Sequence, residues 1–195
     1  VQLGTNVLIP AYRSPVELAK QIGTLSALVG DRFFLGVGAG WLFEEFEAVG
    51  VPPEERFARL DDAMTLMKSA WANEVTDYDG RYYSHVAAGF RPVPGHVPII
   101  VGGTGDGAVR RAAKWGDGWT IGFPKPGPDA RVEAFALRDR LRRASEAAGR
   151  DPGSLRLVCC IGQTALQHVA QERGDDPLPF IPQLQALGWY RPGGG

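Results

Sequence analysis

Gly36, Gly38 and Gly40 stand at alternate positions and Trp41 follows them, at the end of the apolar run Phe33-Phe34-Leu35-Gly36-Val37. An apolar run with no polar face reads as a strand buried on both sides. Glycines at its end permit positive φ or let something approach the backbone closely. A strand end, small residues and then a large ring could lie beneath a flat ligand. The same residues could equally turn a strand tightly under a neighbouring helix. A second chemical stretch is Gly102-Gly103-Thr104-Gly105-Asp106-Gly107, which runs from the apolar Pro98-Ile99-Ile100-Val101 into a helical pattern. A glycine loop feeding a helix N-terminus gathers free backbone N–H groups and the positive dipole end, which suits a phosphate.

Neither stretch completes a dinucleotide fingerprint. Gly36 and Gly38 start one, but Trp41 takes the place of the third glycine. Gly103, Gly105 and Ala108 satisfy a loose form, yet the next strand ends Ile121-Gly122-Phe123 without the ribose-binding acid. His85, His96 and His168 are scattered, with no metal-ligand spacing, and no nucleophile motif is present. No metal is expected, and no catalytic residue can be named from spacing. Glycines, an asparagine and tryptophans suit a site that orients a cofactor and leaves the chemistry to it.

Composition sets the bounds. The 195 residues carry 44% hydrophobic and 22% charged residues, ordinary for a globular chain. A formal charge of −1 gives no field favouring nucleic acid or an anionic membrane. No apolar run approaches the ~20 residues of a membrane span, and no signal peptide is visible. Cys159 and Cys160 are adjacent inside an apolar run, which reads as strand and not as a metal or redox motif. A cytoplasmic setting is expected, with a small-molecule substrate and neither nucleic acid nor membrane as partner.

The elements alternate. Val1 to Pro10 reads as a buried strand turning polar at Thr5-Asn6. Ser14-Pro15-Val16-Glu17 is a capped helix start, with Leu18, Ile22, Leu25 and Val29 inward and Gly30 as the stop. The Phe33 strand follows, then a helix with Phe57, Leu60, Met64, Met67 and Trp71 on one face. Residues 76–97 leave this rhythm: Asp79-Gly80 between tyrosines signals an inserted hairpin or loop. Strands at Pro98 to Val101, Gly118 to Ile121 and Leu155 to Ile161 alternate with helices after Gly105 and after Asp129. A last helix is expected around Phe180, Leu184 and Leu187. In a parallel α/β fold the unusual strand ends, at Asn6, Gly38 to Trp41, Gly102 to Thr104 and Trp119 to Phe123, would collect on one ligand-binding face.

Several motifs then occur in a telling order: T-N-V-L-I-P (Thr5 to Pro10), the Ser14-Pro15 helix start, R-F-F-L-G-V-G-A-G-W (Arg32 to Trp41), R-F-x-R-L-D-D (Arg56 to Asp62), Y-D-G-R-Y-Y (Tyr78 to Tyr83), P-I-I-V-G-G (Pro98 to Gly103) and R-R-A-A-K-W-G-D-G-W (Arg110 to Trp119). This resembles the bacterial luciferase-like monooxygenase superfamily, in particular the oxidoreductases that use the deazaflavin coenzyme F420. The resemblance implies an α/β fold, the (β/α)8 TIM barrel of the luciferase-like type. Residues 1–195 would then be a single domain incomplete at both ends, holding about strands 3–7. Such a piece cannot close a barrel and is expected to be inactive alone. The full-length protein is expected to be a homodimer.

The resemblance also implies site residues. Asn6-Val7 matches a non-prolyl cis peptide whose bulge backs the cofactor ring. Ala39 and Gly40 match backbone beside that ring, Glu44 a polar position near the cofactor's tail, and Val101, Gly102, Gly103 and Thr104 the phosphate-side loop. Trp41 stands where sugar-phosphate dehydrogenases of the family carry a glutamate acid, so Trp41, with Trp119, is read as substrate-facing. The implied function is hydride transfer between a small organic substrate and F420. An FMN-dependent monooxygenase using oxygen is the alternative, and a cofactor-binding protein without turnover is an alternative of another class. A Rossmann-type nicotinamide dehydrogenase lacks its ribose-binding acid.

Overall fold

The computed structural model describes residues 2–122 and 130–160. The chain divides into two compact units, residues 1–99 and 100–195.

The first unit begins with a short strand, β1 (Leu3–Gly4), parallel to β2 (Phe33–Val37). Leu3 pairs with Phe33 and Gly4 with Phe34, whereas Leu8 bridges Val37. The first chain therefore carries one extra residue between the two pairings, which makes a bulge. The Asn6–Val7 peptide inside it is cis. The long buried strand read over Val1 to Pro10 is thus corrected. Leu3 and Gly4 are exposed, the ladder breaks at the bulge, and Pro10–Tyr12 is a 3-10 turn. Proline cannot donate to a ladder, and the turn begins there.

Helix α1 (Pro15–Val29) starts as its sequence dictates. The Ser14 side chain accepts the Glu17 N–H, Pro15 takes the first turn, and Gly30 closes it at φ +61°. Leu18, Ala19, Ile22 and Gly23 are buried, but Leu25 is 37% and Leu28 76% exposed. Periodicity names a face; it does not say how far along the helix a partner reaches. Helix α2 (Phe43–Ala48) follows β2, and α3 (Arg56–Ala72) buries Leu60, Ala63, Met64, Leu66, Met67, Ala70 and Trp71. The Trp71 indole donates to the Ala19 carbonyl at 3.1 Å, joining α3 to α1. Phe57 departs from the predicted stripe: it is 45% exposed beneath the Arg56 guanidinium. Strands β3 (Val75–Asp79) and β4 (Ser84–Gly89) form an antiparallel hairpin. The Leu35 N–H donates to the Pro98 carbonyl at 2.8 Å, so β2 is bonded on both edges.

The second unit is a parallel run of β5 (Ile99–Gly102), β6 (Gly118–Gly122) and β7 (Arg156–Cys160), in that spatial order. Helix α4 (Asp106–Trp115) crosses between β5 and β6, and α5 (Ala130–Ala147) between β6 and β7. Val109, Ala112 and Ala113 are buried while Arg110 and Lys114 face solvent, as the spacing predicts. The Arg150 guanidinium donates to the carbonyls of Ala113 at 3.2 Å and Gly116 at 2.6 Å, capping α4. In α5, Leu141 and Ser145 are buried, and Arg142 pairs with Asp139 and Glu146 on the outer side. The sequence features at Phe123, at Asp129 and beyond Ile161, including His168 and the Phe180 to Leu187 helix, lie outside the described residues.

Candidate functional site

In the first unit the bulge and the end of β2 meet. The Leu8 N–H donates to the Gly36 carbonyl at 2.8 Å, the Gly38 N–H to the Leu8 carbonyl at 3.0 Å, and the Thr5 hydroxyl to the Gly36 carbonyl at 2.7 Å. Gly36 is required by close approach, since a Cβ there would lie 1.9 Å from the Thr5 carbonyl oxygen. This packing turns Asn6 and Val7 outward, and Val7 stands 37% exposed.

Past β2, Ala39 and Gly40 are half-buried and Gly40 takes φ +82°. A Cβ on Gly40 would sit 2.8 Å from the Phe46 ring and 3.2 Å from the Tyr12 hydroxyl. The room left by its missing side chain is therefore filled from within the protein, by Phe46, which is fully buried. Tyr12 meets Phe46 edge-on, ring centroids 4.7 Å apart, and its hydroxyl donates to Glu45 Oε2 at 3.1 Å. Burial, reinforced by the Glu45 carboxylate, pushes the Tyr12 hydroxyl up to about 12. Trp41, next in the chain, is 81% exposed, with Phe43 at 54%. Glu44 lies exposed in the first turn of α2, where the helix dipole favours a carboxylate. The unit thus leaves Val7 exposed at the bulge and Trp41 exposed after the β2 turn, with Phe46 and Tyr12 packed against Gly40.

In the second unit Val101 is buried in β5, Gly102 ends the strand, and the loop begins at Gly103. Gly103 has φ +131°, and a Cβ there would press to 3.0 Å on that of Ala108. Its N–H donates to the Thr120 carbonyl at 3.3 Å. Gly103, Thr104 and Gly105 are exposed, and nothing lies within 4 Å of a Cβ built on Gly105. Asp106 and Gly107 open α4, so their amides have no intrahelical carbonyl. A loop this bare of side chains, at a helix N-terminus, can receive an anionic group on its backbone. Trp119, read as substrate-facing, is instead wholly buried, and its indole N–H donates to the Gly103 carbonyl at 2.6 Å.

Sequence reasoning missed Tyr12 and Glu45. Their partners are distant in the chain, and no short motif pairs them. Among the described residues no group of His, Cys, Asp and Glu is arranged to hold a metal ion, and no helix is long and apolar enough to cross a membrane. His85 stacks on Tyr78 at 6.2 Å and meets Phe90 edge-on, inside the hairpin.

Residues 1–191 match the luciferase-like monooxygenase family, and the chain belongs to it. It is 40% identical over 160 residues to the F420-dependent glucose-6-phosphate dehydrogenase of Kineococcus radiotolerans, covering 80% of this chain and 46% of that one. With the enzyme of the same name from Mycolicibacterium gilvum it shares 35% over 158 residues, 78% of this chain and 46% of the other. A solved F420-dependent secondary alcohol dehydrogenase, in complex with an F420-acetone adduct, superposes with a TM-score of 0.69 at 21% identity, covering 82% of this chain and 48% of that one. The chain thus spans about half the length of the relatives it matches. Its fold class is the α/β barrel of the luciferase-like type, represented by part of its strands and helices.

Proposed function

We propose that the protein is an F420-dependent oxidoreductase that moves a hydride between a small organic substrate and the deazaflavin. The observation that carries this reading is the 40% identity to a deazaflavin-dependent dehydrogenase over 80% of the chain. The residues present fit such a cofactor. The exposed Val7 at the bulge suits one face of a flat ring, and the bare Gly103 to Gly105 loop suits a phosphate. When bound, the deazaflavin supplies the hydride donor or acceptor at its C5.

The chain's own residues would bind, orient and exclude water. We assign Asn6, Val7, Ala39 and Gly40 to the ring's backing, and Glu44 to the polar tail. Val101, Gly102, Gly103 and Thr104 are assigned to the phosphate. Trp41 is assigned to the substrate. An indole in place of an acid cannot move a proton, which argues against glucose 6-phosphate and for a substrate with an apolar face.

The test is titration of the native full-length protein with F420 and separately with FMN, followed by absorbance and fluorescence, then turnover with alcohols and sugar phosphates. Saturable F420 binding and substrate-dependent bleaching of the deazaflavin band are expected. Tight FMN binding without F420 binding would overturn the reading, and F420 binding without turnover of any substrate would reduce it to a carrier.

A further inference from the structure

The Trp119 side chain does two things at once. Its N–H holds the Gly103 carbonyl at 2.6 Å, and its ring lies 5.7 Å beneath the Arg140 guanidinium. Arg140, from α5, in turn donates to Asp106 Oδ1 at 2.6 Å, at the first residue of α4. The loop between Gly103 and Asp106 is therefore gripped at both ends by one indole–guanidinium cation–π pair. Asp106 is far from buried, its side chain 76% exposed against 33% for Arg140, yet the Arg140 hydrogen bond holds its carboxyl below the usual range. An exposed ion pair of this kind contributes little to stability. What it fixes is geometry: a guanidinium held over a ring and also bonded to a carboxylate is restricted in orientation.

Gly103 shows why the loop requires holding. At φ +131° its backbone has the freedom only glycine has. Released from the indole, its carbonyl could rotate, and the amides that follow would turn with it. Phenylalanine at position 119 would keep a ring beneath Arg140 but is smaller than indole and lacks the N–H that holds Gly103.

We propose that Trp119 and Arg140 are positioning residues that lock the Gly103 to Asp106 loop in the conformation that receives the cofactor's phosphate. This rests on the F420 reading above. Neither side chain touches the phosphate in this scheme; both act through the loop's backbone.

The experiment uses the native full-length enzyme and the variants Trp119→Phe, Arg140→Met and Asp106→Asn. Binding of F420 and of its phosphate-free deazaflavin riboside is measured by fluorescence, and amide exchange is followed across Gly103 to Gly107. Trp119→Phe and Arg140→Met are each expected to weaken F420 by about tenfold. The riboside's affinity should stay within about twofold of its native value, with faster exchange at Thr104 and Gly105. Asp106→Asn keeps an acceptor for Arg140 and is expected to fall between. F420 affinity unchanged in both larger variants, or an equal loss of F420 and riboside, overturns the proposal. If native enzyme binds neither ligand, the functional reading fails, and unchanged exchange in Trp119→Phe and Arg140→Met then overturns the lock as well.

Discussion

The Tyr78 hydroxyl donates to Asp62 Oδ1 at 2.6 Å, tying the hairpin to the middle of α3. The second carboxylate oxygen accepts the amides of Tyr82 at 2.6 Å and Tyr83 at 3.2 Å. Gly80 lies so close that a Cβ would sit 2.3 Å from Oδ1. One carboxylate thus organises the whole Tyr78 to Tyr83 turn. Asp62→Ala leaves three donors without this acceptor and is expected to destabilise by about 2–3 kcal/mol. A lower denaturant midpoint at unchanged m-value, with lost amide protection at Tyr82 and Tyr83, would show it. Protection retained at both amides would mean that the turn holds itself.

Two tyrosines are predicted to ionise late. Burial first, then the neighbouring carboxylate, pushes both Tyr12 and Tyr78 from 10.0 up to about 12. A raised folded-state value favours the protonated form, so this stabilisation is complete below pH 10 and disappears as pH rises through about 12. A phenolate absorbance titration of the folded protein should show a late component that shrinks in Tyr12→Phe and in Tyr78→Phe. A single transition near 10 for all five tyrosines of the chain would contradict it.

Gly36→Ala is expected to be among the most damaging single-methyl additions in the chain. Its Cβ would stand 1.9 Å from the Thr5 carbonyl oxygen, which is backbone and cannot swing aside. Displacing that strand breaks the Leu8–Val37 pairing as well, and a loss of about 3 kcal/mol is expected. Thermal unfolding measures this directly. A variant within a degree of the native midpoint would mean that the bulge moves freely.

Trp41→Ala should leave folding almost untouched, within about 0.5 kcal/mol, because the ring is 81% exposed. The expected effect is on substrate: a raised KM or altered preference among substrates, with F420 affinity unchanged. Gly40→Val would report something different, since its side chain would strike Phe46 and Tyr12 before any ligand. Steady-state kinetics beside thermal unfolding separates the two variants.

Arg150→Met removes the donor to the last carbonyls of α4 and is expected to cost about 1–2 kcal/mol. Chemical denaturation of the variant checks it. No loss would mean that water caps the helix equally well.

The strand–helix alternation was legible because strong local signals agreed: the Ser14-Pro15-Glu17 cap, the apolar Phe33 to Val37 run and the Gly102 to Gly107 loop. The resemblance marked the Asn6–Val7 bulge, which periodicity had smoothed into one long strand. The backing of the site was not legible. Tyr12 and Glu45 are 33 positions apart, and Asp106 and Arg140 are 34 apart. Spacing rules describe neighbours within one element, and these pairs exist only once separate elements pack. Trp119 looked like an exposed site residue because tryptophan at a strand end has two uses, and only the fold shows that its N–H points at the Gly103 carbonyl.

The Gly40 turn separates what position 41 carries from what supports it. Phe46 and Tyr12 fill the inner side at Gly40, whatever residue follows. The side chain at 41 contributes little to the core, and so changing it costs the scaffold little. Side chains of different chemistry can therefore sit at position 41 on the same backbone without compensating changes beneath. On the proposal that Trp41 faces the substrate, position 41 can vary with the substrate while the Gly40 turn beneath it stays as it is.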